Sequence, residues 1–206
     1  MQGGPVDERD STWEDDAPRF RLYTFRGAGN AVTTLDLWDC SVEEALDAGE
    51  QAGADGCLWS LALVHDTGPQ RGLVWLSGYD YNGTARTPQQ WRMRRQMQDR
   101  YLAARARAGE PVTLPNGLRV IRMFPGWADS PLWESYTDSY VADPAALGLS
   151  PDLVADLHSW NEAWNSHPET APMPDEEGFL AEGRRLHARV QGELAGIAEV
   201  RPEFDR

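Results

Sequence analysis

Apolar positions recur along this chain at two different periods, and the alternation between them divides it into strands and helices. From Arg19 to Arg26 (RFRLYTFR) Phe20, Leu22 and Thr24 alternate with Arg19, Arg21, Tyr23 and Phe25, the period of two that belongs to a strand. Gly27-Ala28-Gly29-Asn30 breaks the run, and AVTTLDLW resumes it with Leu35 and Leu37 on one face, which predicts a hairpin. Ser41-Val42-Glu43-Glu44 then reads as a capping box, Glu44 reaching back to the Ser41 amide, for a helix from Val42 to about Ala52 closed by Gly53. Cys57 to His65 (CLWSLALVH) is apolar at both parities, the mark of a central strand covered on both sides. After the turn 66–72, Leu73 to Tyr81 reads as its partner, with Gly78 a bulge or close-approach point.

The second half repeats the pattern with longer helices. Thr87-Pro88-Gln89-Gln90 is another capping signal, and the helix it starts runs to about Ala108 with Met93, Met97, Tyr101 and Ala104 in one stripe. A fifth strand, Leu118 to Met123, follows Pro115-Asn116-Gly117. Ser150-Pro151-Asp152 marks the start of the best-patterned helix, with the N-cap, proline and acid each in a favoured place. Leu153, Leu157, Trp160 and Trp164 give it one apolar stripe on a 3.6-residue period. The segment 167–178 reads as an exposed acidic loop. Phe179, Leu186, Val190 and Leu194 then define a last helix ending at Gly196, before a short edge strand stopped by Pro202. The order β-β-α-β-β-α-β-loop-α-α-β lacks regular βα alternation. It predicts an α+β fold: a mixed or largely antiparallel sheet of five to six strands with three to four helices packed on it. Residues 1–18, charged and apolar only at Trp13, read as a disordered acidic tail ahead of a single domain, 19–206.

Charge changes this picture more than composition does. The chain of 206 residues carries a formal charge of −14, and every basic residue is Arg. The imbalance is local: residues 83–128 hold nine Arg against Asp99 and Glu110, whereas 129–182 hold twelve acids and no Arg. Such a distribution argues against non-specific binding to nucleic acid, which needs a basic face. Two readings of the acidic block stay open: internal neutralisation by the Arg segment, or an open face for a basic partner. The all-Arg usage, with abundant Ala, Gly, Asp and Pro, points to an actinobacterial source of high GC content. No apolar run reaches the length of about eighteen residues that crosses a bilayer, and the first thirty residues lack a signal-peptide h-region. The expectation is an intracellular, cytoplasmic protein with its two cysteines, Cys40 and Cys57, as packed thiols.

Signatures of chemistry are few. Gly27-Ala28-Gly29 leads into a strand, so it lacks the helix N-terminus a pyrophosphate requires. Without lysine there is no P-loop, and His65, His158, His167 and His187 are too scattered for a sequence-local zinc motif. The expected cofactors, metal ligands and catalytic residues are therefore none. One pocket is a candidate on composition: Trp75, Tyr79, Asp80 and Tyr81 resemble the lining of a small-molecule or sugar site, with Glu134 or Asp138 as a second carboxylate for hydrolysis. The other candidate site is the acidic, aromatic-rich stretch after Phe124, where Trp127, Trp133 and Tyr136 would be apolar anchors and Glu134, Asp138 and Asp143 the steering charges.

A set of short motifs adds a resemblance. Pro131-Leu-Trp133, Asp138-Ser-Tyr140-Val-Ala-Asp143-Pro144, Leu147-Gly-Leu-Ser-Pro-Asp-Leu153, Trp160-Asn-Glu-Ala-Trp164 and Phe179-Leu-Ala-Glu-Gly-Arg-Arg-Leu186 together resemble small acidic, immunity-protein-like α+β proteins of actinobacteria. The resemblance covers roughly residues 131–204, and its motifs are structural: caps, a Trp stripe, and Gly183 at a close contact. It implies an immunity or antitoxin partner of a toxin; together with the charge distribution, the expectation is a non-enzymatic protein-binding module whose acidic face meets a basic protein. It implies no catalytic residue and no oligomeric state.

Overall fold

Local signals of capping and alternation place nearly every element where the period changes. The computed structural model describes residues 3–11, 14–67, 70–168 and 173–204. Trp13 of the tail, Gly68 and Pro69 of the 66–72 turn, and residues 169–172 of the 167–178 loop lie outside the described residues. The elements are β1 (Arg19–Arg26), β2 (Ala31–Leu37), α1 (Val42–Ala54), β3 (Leu58–Thr67), β4 (Gln70–Ser77), α2 (Pro88–Arg107), β5 (Arg119–Met123), β6 (Leu132–Trp133), α3 (Pro151–Asn165), α4 (Glu176–Glu193) and β7 (Ala198–Pro202). The fold is α+β. Its strands divide between two sheets, one ordered β2-β1-β3-β4 and one ordered β6-β5-β7. The described residues cluster into two compact units, one within Met1–Phe25 and Ala31–Met97, the other within Arg26–Asn30 and Gln98–Arg206.

In the first unit β3 is central, paired antiparallel with β1 and β4, and its residues Leu58 to Ala62 are buried whichever face they point to. α1 lies on this sheet through its glycines. A Cβ on Gly49 would stand 2.5 Å from the Trp59 ring, and one on Gly53 would stand 3.1 Å from the indole nitrogen. Gly53 is thus a packing residue inside α1 and does not close it. The chain turns at Gly56, whose φ of +79° is the left-handed conformation glycine adopts freely. The capping box forms as its spacing predicts, Ser41 Oγ accepting from Glu44 N–H and Glu44 accepting from Ser41 N–H. Thr87 and Gln90 do the same for α2. Gly78 lies just past β4, where a Cβ would meet Met97 Sδ and Ser60 Cβ at 2.8 Å.

In the second unit β5 pairs with β7 in parallel and with β6 antiparallel. α3 and α4 cover this sheet, and Ile121, Leu132, Leu153, Leu157, Leu186 and Leu194 form its core. Of the α3 stripe, Leu153, Leu157 and Trp160 are buried and Trp164 is half-buried. Two cap assignments change. Ser150 is the N-cap of α3, but its hydroxyl makes no cap hydrogen bond; it donates instead to Glu193 Oε1 at 2.8 Å, while Ser150 N–H donates to Oε2 at 2.7 Å. The hydroxyl that would accept from a helix amide donates instead to a carboxylate, a charge-assisted bond. α4 begins at Glu176, three residues ahead of Phe179, because Asp175 caps it by accepting from Gly178 N–H and two acids follow in the first turn. No described helix is long and apolar enough to cross a membrane.

Candidate interaction surface

The residues expected to meet a partner converge on the second unit but differ in how free they are. β6 continues into a tight excursion held at its base, Glu134 N–H donating to Tyr140 O and Ala142 N–H to Leu132 O, both at 2.9 Å. Glu134 is buried, and Arg119 on β5 grips its carboxylate with two bonds, Nε at 2.8 Å and Nη2 at 2.5 Å. A carboxylate so engaged belongs to the fold. Its neighbour Arg122 donates to Glu203 at 2.8 Å and also reaches Ser135 and the Tyr140 hydroxyl. The buried Arg201 donates to Asp99 at 2.7 Å.

Trp133 is also largely structural. Its indole donates to Phe124 O at 2.9 Å, its ring stacks on Phe124 at 4.9 Å, and a Cβ on Gly126 would approach it to 2.6 Å. Tyr136 is 44% exposed and holds φ at 66°, a left-handed value unusual for a side-chain-bearing residue. Burial of its hydroxyl, and then the nearby Asp99 carboxylate, push the Tyr136 hydroxyl above its ordinary range. Asp138 and Asp143 are exposed; Asp143 accepts from Ala145 N–H in a local turn. Trp127 is 68% exposed.

The remaining acids of the block divide the same way. Arg185 holds Glu182, and Arg185 with Arg189 holds Asp156, which keeps both carboxyls below their ordinary range. Asp129, Asp138, Asp152, Glu162, Glu176 and Glu177 are exposed and have no ionic partner among the described residues. Asp152 and Asp156, four residues apart, share one face of α3. Between α3 and α4 lies a groove of about 570 Å³ whose apolar walls include Trp160, Ala163 and Phe179, and whose edge carries Asp156, Asp175 and Glu182.

The pocket expected around Trp75, Tyr79, Asp80 and Tyr81 takes a different form in the first unit. Tyr79 and Tyr81 are buried; the Tyr79 hydroxyl donates to Gly83 O, and Arg94 lies over the Tyr81 ring at 4.1 Å. Trp75 packs on Tyr23, and Asp80 faces solvent, accepting from Asn82 N–H. These contacts make the two tyrosines core residues. Among the described residues, no three His, Cys, Asp or Glu side chains are grouped to hold a metal ion.

One residue that holds this surface in place is not evident from the sequence. Asn161, inside the Trp160–Trp164 motif, is fully buried; it accepts Gly126 N–H at 2.9 Å and donates to Ala128 O at 2.6 Å. It fixes the loop that presents Trp127, and Trp164 one turn later meets the Trp127 ring at 5.3 Å. A polar residue on the buried side of an apolar stripe was the available signal, since such a group must find partners.

Comparison with known proteins bears on this unit alone. No curated protein and no solved structure matches the chain. Residues 119–201, from the first residue of β5 to the fourth of β7, match the family model described as Serratia CdiI immunity protein-like, so this part of the chain is similar to immunity proteins.

Proposed function

We propose that this protein is a non-enzymatic, cytoplasmic binding module of immunity type that recognises a basic toxin domain through the open acids of its second unit. The observation that supports this reading is the division of the 129–182 carboxylates. Glu134, Asp156 and Glu182 are held by arginines of the fold, whereas Asp129, Asp138, Asp152, Glu162, Glu176 and Glu177 are left to solvent, Glu176 in the groove that Trp127 lines. Open charges of one sign raise the rate of encounter with a basic partner, and exposed aromatics supply the desolvated contacts that slow its departure. Trp127 and Tyr136 are the aromatic anchors, with Trp133 supporting the loop behind them.

Surface-binding kinetics at two salt concentrations, against the protein encoded beside this one, test the reading. Neutralising Asp129, Asp138 and Glu162 together should slow association and reduce its salt dependence while leaving dissociation nearly unchanged. An unrelated basic protein of equal charge should show no slow dissociation. Wild-type association by the triple variant would refute the acidic face as the docking surface.

A further inference from the structure

Trp127 is the most exposed aromatic side chain among the described residues of the second unit, yet the backbone behind it is pinned by Asn161 and by Trp133 against Gly126. Presenting a large ring to water on a loop held this firmly gains nothing within the fold, and such a patch marks an interaction site. Trp164 meets it at an interplanar angle of 67°, so the two indoles form an open corner. The corner gives onto a groove of about 530 Å³ that Phe179 and Phe204 also line, with the unpaired carboxylate of Glu176 on its wall. No Arg is among the described residues that line this groove. Aromatic faces are the negative side of the ring quadrupole, and a carboxylate beside two of them completes the chemistry of a cation site. A guanidinium fits better than an ammonium, because its plane stacks on one ring while its edge donates to the carboxylate. The fold already makes such stacks internally, with Arg19 over Trp38 at 5.3 Å and Arg122 over Phe124 at 4.9 Å.

From this geometry we infer that the Trp127–Trp164 corner, with Glu176, is a receptor for one arginine side chain of the protein partner. This rests on the acidic-face reading and narrows it to a single contact. A guanidinium stacked on one indole and bonded to the Glu176 carboxylate is desolvated there, so it acts on dissociation, whereas the outlying acids act on encounter.

The probe is acetyl-Leu-Arg-Leu-amide, titrated into the full chain while the tryptophan indole N–H signals are followed by NMR. Its control replaces Arg by citrulline, which keeps the shape and removes the charge. The arginine peptide should shift the Trp127 and Trp164 signals saturably and bind about tenfold more tightly than the citrulline peptide. Trp127→Ala should abolish the shift at Trp164 with the other indole signals in place, and Glu176→Gln should weaken binding and flatten its salt dependence. Equal binding of the two peptides, or saturation that survives both substitutions, would overturn the arginine assignment. If the arginine peptide fails while neutralised acids still slow partner association, the corner is refuted and the acidic face stands. If both fail, the binding reading itself is refuted.

Discussion

Trp38 in the first unit and Trp127 in the second are exposed to similar degrees, 59% and 68%, but their surroundings differ. Arg19 lies over the Trp38 ring, and Arg19 and Arg21 both bind Asp36, so ring, cations and carboxylate there satisfy one another. Around Trp127 the ring partner is another tryptophan, and Glu176 nearby has no cationic partner among the described residues. The same residue types are closed in one place and open in the other. Aromatic and charged content therefore says little about an interaction surface until the internal pairs are subtracted, and only the remainder is available to a partner.

The largest effect expected from breaking this contrast is on stability. Trp160 is buried, stacks on Phe179 and donates its indole N–H to Phe179 O, so Trp160→Ala should cost about 3–5 kcal/mol. Trp127→Ala, by contrast, should cost less than ~1 kcal/mol, because that ring is mostly in water. Chemical denaturation of the two variants measures the difference, and comparable losses would make Trp127 a core residue.

A smaller contrast separates two acids of one block. Glu134→Gln removes the charge and one of the two buried oxygens that accept from Arg119, and should cost roughly 1–3 kcal/mol, discounted for the partial exposure of Arg119. Asp138→Asn should stay within about 0.5 kcal/mol of the parent and act on association alone. Equal stability of the two variants would return Glu134 to the list of free charges.

The smallest effect is on acid stability. Hydrogen bonding from Arg21, followed by Arg19, holds the Asp36 carboxyl well below its ordinary range. A depressed carboxyl stabilises the folded state above the unfolded value of about 4, and that contribution is lost as pH falls further. Asp36→Asn should therefore flatten the acid limb of the stability curve below pH ~4. Asp156→Asn should flatten it less, since the Asp156 side chain is 42% exposed against 15% for Asp36 and solvent screens its pairs. Midpoints of denaturation measured between neutral and acid pH decide the order.

Periodicity and capping are local properties, and they determined the elements: the Ser41 box, the Thr87 box, the both-faces-buried β3 and the α3 stripe all read directly from neighbouring residues. The immunity-like resemblance of the C-terminal third was also legible in its motifs, as the family match over residues 119–201 indicates for that region. Pairing between distant segments was not legible, and it decided the rest. Strand neighbours separated by some eighty residues place β7 beside β5 in a second sheet. Ser150 found Glu193 in preference to its own helix amide. Glu134 read as a free charge until β5 brought Arg119 to it, and Asn161 read as part of a tryptophan motif until the 126–128 loop folded over it. Each outcome has one physical cause: a polar group takes the strongest partner within reach, and tertiary packing alone decides what is within reach.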